Sequence, residues 1–558
     1  MQETTTILLQ WCIAFLFAWI PYITSYIYAI RFQSELIATV FGLISAIVFS
    51  LGTFYLNLAT YLAPMGPMPK FIPLTLLCSM ALYLFIQRMR VKNLFDVIGT
   101  AFLLGLISLL TGLMRGIADQ NLGVQHTLAV RYWVSVDNKI PGFFARAIQS
   151  DLPMKPYLFA DWKASDRPPL ASGWLCISRT LLNSKYGETS LLIAGATLLV
   201  PLICVILATF KTSRKHWMPV AVIMFSTPFV FTNTVFTWPK IIAGLLFLLA
   251  ISIFFIDQFP YKYWIIGLTT ALSFLAHGST MFMFPGLIYV AVTQRIYLLN
   301  YLKILCAAFV CCAPWILFQQ IWDKSANRLI YWHIAGQSQG SDGEGILSTI
   351  IKNYSELEFT EVIKNKLENV YNLLIVGDTN PAIEGLRGFP GLINAWASET
   401  IVGSLWPLIV CVLLCFLLTR NTEFRAPRGY LSAVLIGMFT FVLLEFGARP
   451  DSIASAHIAP LSIAIFFGVV FAEYVVVTTE NLLHSNWTLS GLMLIFLTWN
   501  FVNYGVLSGV NAAEGGNGGS LSYSLAVVWL VASLGLCGMT TYTCKRNDHG
   551  RASSGVLV

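Results

Sequence analysis

Charge is scarce in this sequence. Lysine, arginine, aspartate and glutamate together make up 11% of its 558 residues, whereas a soluble domain carries about 25%. Hydrophobic residues make up 57%, and the mean hydropathy is +0.72. A chain this long and this poor in charge belongs in lipid, which excludes a string of soluble domains. Carboxylates are rarer still within the apolar runs, where Glu445 and Glu473 lie near run ends. No internal repeat is evident either. Both absences count against a transporter or flippase, which needs ionisable groups near mid-membrane and broken helices in related halves.

Cysteine is missing where a disulfide framework would need it. Most of the 11 cysteines, among them Cys204, Cys306, Cys311, Cys312, Cys411, Cys415 and Cys537, lie inside apolar runs, and the long polar segments hold only Cys176. No pair has zinc-ligand spacing in a polar context. The start, Met1-Gln2-Glu3-Thr4, lacks a basic leader, so no cleavable signal peptide is expected. The formal net charge of +7 is spread through loops, with no basic stripe interleaved with aromatics. A nucleic-acid partner is therefore not expected, and the cations read as topological markers.

What is present is a series of apolar runs. About 20 mostly apolar residues span a bilayer as a helix. Candidate spans lie near 7–30, 36–62, 72–87, 96–114, 188–210, 217–236, 241–256, 263–276, 279–293, 303–320, 401–419, 429–446, 457–477, 488–507 and 522–543. The expected fold is an all-α polytopic membrane protein of roughly 13–15 transmembrane helices. It divides into N-terminal helices (1–114), a long polar loop (115–187), central helices (188–320), a second long loop (321–400) and C-terminal helices (401–558).

Short basic segments fix an expected orientation. Arg88 to Lys92, Lys211 to Lys215, Arg420 to Arg428, and Lys545-Arg546 all fall on one side of this span order, which should be cytoplasmic. Both long loops then lie on the extracytoplasmic side. So do Trp238-Pro239-Lys240, His277-Gly278, Arg449-Pro450-Asp451 and the Gly-rich segment 509–521. Polar non-helical chain must sit in water or in protein, so two such loops suggest a covered cavity at that surface.

The first loop carries the densest chemistry. Ile140, Phe143, Phe144, Ala147 and Ile148 recur at helical spacing, which predicts an amphipathic interfacial helix with its apolar face toward lipid or bundle. Asp137 stands just before it, as either an N-cap or a general base. Asp166 precedes Pro168-Pro169-Leu170, where two prolines force an extended approach and then permit a helix start. Asp166 is open to the same two readings, with capping the stronger.

A carboxylate opening the first large outer loop, an amphipathic helix, and a Pro-Pro-Leu element about thirty residues on resemble the GT-C fold glycosyltransferases. The likeness is to the protein O-mannosyltransferase and lipid A aminoarabinose transferase type. It covers the first loop and the helix layout around it. The chain departs from the family at Asn138, where mannosyltransferases usually have a second acidic residue. It departs again at Asp166, where many relatives have histidine. The resemblance implies a sugar donor carried on a polyprenyl phosphate. It also implies a glycan, glycolipid or protein acceptor, and a site on the extracytoplasmic face of an inner or plasma membrane. Asp137 matches the family's catalytic aspartate.

Such transfer needs a carboxylate base, cationic stabilisation of the departing phosphate and an apolar groove for the lipid tail. The candidate phosphate-binding residues are Lys139, Arg167, Lys240, His277 and Arg449. Each reads more readily as a helix-end cation whose charge snorkels to water, or for His277 as a hydrogen-bonded structural residue. Candidate sugar-contacting aromatics are Trp162, Tyr331 and Trp332, which an interfacial aromatic belt also explains. No cofactor is called for. A divalent metal ion bridging Asp137 or Asp166 to phosphate is the one candidate, though no ligand cluster marks it. In the second loop, Ile350 to Leu374 has apolar residues at helical spacing, predicting an amphipathic helix that serves as a lid, an acceptor platform or a surface helix. A polysaccharide polymerase or ligase is the rival enzyme class, expected to rely on Arg and His in the outer loop.

Overall fold

The computed structural model describes residues 2–63, 71–87, 92–116, 140–155, 158, 162–182, 186–235, 239–322, 328–336, 345–374, 425–446, 458–483, 486–500 and 526–540. Within them the protein is an all-α polytopic membrane protein. Six helices are long and apolar enough to cross a membrane: Thr4–Ala29, Glu35–Leu62, Asn93–Leu113, Gly187–Thr209, Leu298–Trp322 and Ala426–Leu444. Seven shorter apolar helices accompany them, from Ile72–Ile86 to Ala526–Thr540. The expected span 401–419 and the Gly-rich segment 509–521 lie outside the described residues.

Gly187–Thr209 is the axis of the bundle, with 89% of its apolar window buried. Leu298–Trp322 is the opposite case at 11%. It turns Leu302, Leu305, Phe309, Val310, Leu317 and Ile321 outward. Such an apolar stripe would be a liability in water and is an ordinary lipid-facing surface in a bilayer.

The central helix is kinked, and the cause can be read in Pro201. Proline has no N–H to offer the carbonyl four residues back, here Thr197. The helix therefore divides into Gly187–Ala196 and Leu199–Thr209, and the Thr197 carbonyl instead accepts from Val200 N at 3.0 Å. Leu198 N turns to Gly195 O, leaving Ala194 O without its helical donor. Trp19 of the first helix supplies one: its indole N–H lies 3.3 Å from Ala194 O and 3.0 Å from Thr197 Oγ1. The bend is thus satisfied without water.

The break before Pro228 has the same origin. The expected span 217–236 is two helices, Trp217–Ser226 and Pro228–Val235. Thr227 between them is extended (φ −68°, ψ 138°), as a residue before proline prefers. The expected span 279–293 begins with a 3-10 stretch, Gly278–Met283, before the helix Phe284–Thr293. The run 350–374 is likewise two helices, Ile346–Ser355 and Phe359–Leu374, rather than one.

The amphipathic helix of the first loop runs Ile140–Gln149 and faces the bundle. Phe144 packs on Phe54, Trp315 and Phe318 at ring separations of 5.3, 6.3 and 6.2 Å. Beyond it, the helix Leu170–Leu181 crosses Glu35–Leu62 very closely. Ser50 Oγ donates to Leu170 O at 2.8 Å, and a Cβ on Gly173 would stand 2.0 Å from the Ser50 carbonyl oxygen. This contact anchors the Pro-Pro-Leu element to the bundle.

Gly173→Val should therefore force the two helices apart and lower the unfolding midpoint by an amount typical of overpacking, about 1–3 kcal/mol or more. Gly52→Ala, on the same partner helix but facing open space, should be neutral or stabilise by up to about 1 kcal/mol. Thermal unfolding of the purified variants in one detergent checks both.

Candidate functional site

Three separate segments meet at one end of the bundle. The first is the loop around Asp166 and Arg167. The second is the pair of helix ends at Lys240 and His277. The third is the helix Arg328–Ala335 from the second long loop.

The prolines of Pro168-Pro169 hold the first segment extended, and a 3-10 turn, Ala164–Asp166, precedes them. Asp166 is buried, and both its carboxylate oxygens accept backbone N–H groups. Oδ2 takes Lys163 N at 2.8 Å, closing its own turn, and Oδ1 takes Arg328 N at 3.1 Å. Asp166 thus caps the helix Arg328–Ala335 and ties the segments from the two long loops together. Gln319 adds a third tie, donating to Ser165 O at 3.0 Å.

Arg167 follows, 8% exposed. Its guanidinium carbon lies 5.1 Å from the Trp162 ring centroid, and that of Arg328 lies 4.5 Å from the same ring. Trp162, expected to stack on sugar, here holds two arginines by cation–π contact. Burial, helped by the neighbouring Arg328, pulls the Arg167 guanidinium down to about 9, still cationic at neutral pH.

Arg167 Nη1 lies 3.3 Å from His277 Nε2. Guanidinium can only donate, so Nε2 must accept and the imidazole proton belongs on Nδ1. Nδ1 then donates to Ser279 Oγ at 2.7 Å, which outweighs the longer 3.3 Å approach of the Ser279 N–H to the same nitrogen. His277 is therefore neutral and fixed in one tautomer. Burial first, then the charges of Lys240, Arg167 and His333, pull its proton affinity well below the ordinary range. Its observed part is to hold the Arg167 guanidinium, not to supply a charge.

Lys240 is 4% exposed and opens the helix Lys240–Phe255. A helix N-terminus is itself the positive end of the macrodipole. Lysine charge, arginine charge and helix dipole thus add in one place. A cavity of about 60 Å³ lies beside Asp166 and His277, bounded by these two, Gln319 and His333 on its polar side and by Phe282 and Trp315 on its apolar side; Arg167, Lys240 and Arg328 are not among its lining residues.

Nearby, the segment from the second long loop is latched to the bundle. His333 Nδ1 meets Glu445 Oε1 at 2.7 Å, and both are buried. Asn369 donates to the carbonyls of Val442 and Glu445 at 3.1 and 2.9 Å, and Lys366 Nζ reaches the Tyr354 hydroxyl at 2.7 Å. Burial lowers Lys366 to about 8, partly opposed by Glu445. Tyr331 is buried, and Trp332 stacks on His333 with ring centroids 5.5 Å apart.

Of the expected site residues, the structure thus gathers Arg167, Lys240, His277, Asp166 and Trp162. Asp137, Lys139 and Arg449 lie outside the described residues. Arg328, His333 and Gln319 join the cluster without a motif to mark them. Their only signal is an Arg and a His bracketing an aromatic run, Arg328-Leu329-Ile330-Tyr331-Trp332-His333, in a long polar loop. Among the described residues, no group of three His, Cys, Asp or Glu side chains could hold a metal ion. Comparison with family models, with curated proteins and with solved structures finds no match to this chain.

The neutral His277 has a pH consequence. Its folded proton affinity is depressed, so below the unfolded value near pH 6.5 the unfolded chain takes a proton that the folded one refuses. Stability should fall as pH drops from 7 to 5, with His277 contributing up to about 1.4 kcal/mol per pH unit. His277→Gln should flatten that slope when unfolding midpoints are compared across the same range.

Proposed function

We propose that this protein is a GT-C type glycosyltransferase that moves a sugar from a polyprenyl-phosphate donor to a hydroxyl acceptor at the extracytoplasmic face. The observation that carries this reading is the cluster of buried Arg167 and Lys240 with half-buried Arg328 at the rim of an apolar bundle, built around the Pro-Pro-Leu element. Desolvated cations beside a helix N-terminus suit a phosphate ester, and lipid-facing helices beside them suit a prenyl tail. The basic segments Lys211 to Lys215 and Arg425 to Arg428 begin or end helices at the other end of the bundle, which supports an extracytoplasmic position for the cluster.

In this reading Asp137 takes the proton of the acceptor hydroxyl. The freed oxygen attacks the anomeric carbon, and the bond from that carbon to the phosphate oxygen breaks. The polyprenyl phosphate leaves with the bonding pair, and its growing charge falls on Arg167 and Lys240. His277, Trp162 and Asp166 hold the arginines and the loop that carries them. The acceptor is a glycolipid, a glycan or a protein hydroxyl.

A second reading, a polymerase or ligase of lipid-linked sugars, is favoured by the arrival of Arg328 and His333 from the second outer loop. One set of variants separates the two. Transfer from native lipid extract to cell-envelope acceptors should fall about 10²–10⁴-fold in Asp137→Asn with the unfolding midpoint kept. Full transfer in that variant, with loss in Arg328→Gln, would favour the polymerase. Loss of midpoint and transfer together would make Asp137 a helix cap. Arg167→Gln should lose transfer about 10²–10³-fold while the midpoint holds or rises, because a buried like charge has gone.

A further inference from the structure

The helix Phe359–Leu374 of the second long loop has three different sides. The first meets the bundle. Asn369 is 1% exposed and donates to the carbonyls of Val442 and Glu445, and Lys366 Nζ donates to the Glu445 carbonyl as well. The second side carries charge. Glu361, Lys364 and Glu368 are exposed, and Lys364 pairs with Glu368 one turn on at 4.0 Å. The third side is apolar. Phe359, Ile363 and Leu367 recur every four residues and are 79, 45 and 62% exposed. At 3.6 residues per turn, this stripe lies about 90° round the helix from the Lys366 and Asn369 side and about 130° from the charged side.

The bonds of the first side set the level of the helix along the bundle. Glu445 directly follows Ala426–Leu444, one of the six helices long and apolar enough to cross a membrane. Bonding to carbonyls at the end of that span holds Phe359–Leu374 where the span leaves the lipid. The last turns of the same span turn Phe439, Leu443 and Leu444 outward, at 62, 46 and 43% exposed, as lipid-facing residues. The stripe on Phe359–Leu374 therefore continues a surface that the bilayer covers. The charges recur on their own side over the same length of helix, from Glu361 to Glu368. A helix crossing the hydrocarbon would have to bury them, whereas one lying along its boundary keeps them in water.

We infer that Phe359–Leu374 is an interfacial helix whose partner is the bilayer itself. Phe359, Ile363 and Leu367 enter the boundary between headgroups and acyl chains to a depth of about 5–10 Å. The segment that begins at Arg328 is then held twice, by Asp166 at its start and by lipid further on. This placement does not depend on the sugar transfer proposed above.

The test uses the full-length protein in phosphatidylglycerol nanodiscs. Photoreactive benzoylphenylalanine replaces Ile363 in one variant and Lys364 in another. Both side chains are exposed, so the unfolding midpoint should hold in each. After irradiation, mass spectrometry reads what each ring has captured. The ring at Ile363 should capture phospholipid acyl chain several-fold more than the ring at Lys364, which faces water. The same replacement at Phe359, the most exposed of the stripe, should match Ile363, and it decides the matter if the Ile363 variant does not fold. Equal lipid capture at the apolar position and at Lys364, or no lipid adduct at the apolar position, overturns the placement. Adducts there to a second copy of the chain, or to another segment of the same chain in place of lipid, overturn it too.

Discussion

Burying like charges together is the constraint on which this end of the molecule depends. Arg167 and Lys240 are almost wholly removed from water, and Arg328 shares the Trp162 ring with Arg167. Isolated ions in a medium of low polarity are costly, and cations side by side are costlier. Among the described residues, a neutral acceptor and a π face meet part of that cost. Trp162 gives its ring to both guanidiniums, His277 gives its Nε2 lone pair, and Asp166 stays close by while bonded to backbone. Functional sites commonly hold such destabilising arrangements, which a ligand of opposite charge relieves.

The rest of the architecture can be seen as what keeps that cluster assembled. The Pro-Pro-Leu element cannot move away, because the helix behind it lies against Ser50 at a glycine crossing where no side chain fits. The segment from the second long loop cannot lift freely, because Asp166 caps its first helix and His333 binds Glu445 at the end of Arg425–Leu444. The kinked central helix, closed by Trp19, gives these parts a common rigid support.

Several features were legible in residues alone. Low charge and long apolar runs implied a helical membrane bundle, and the spacing of Ile140, Phe144 and Ile148 implied the helix found at Ile140–Gln149. The breaks at Pro201 and Pro228 carried a local signal, yet the runs around them read as single spans, because hydropathy averages over a proline without registering the hydrogen bond it removes. Asp166 stood open between cap and base. Its partner Arg328 lies 162 residues away, a distance no local pattern can bridge.

Sequence by itself determined the class of solvent this chain folds in, the order of its helices and the end at which cations were to be sought, because composition and short-range periodicity follow from transfer energies acting residue by residue. Only the tertiary structure decided that Arg167, Lys240 and His277 share one place and that His277 is neutral there. It also decided that Trp162 serves arginines and that Arg328 belongs with them. Those facts depend on which helix ends pack together, and that is set by complementary surfaces far apart in the chain.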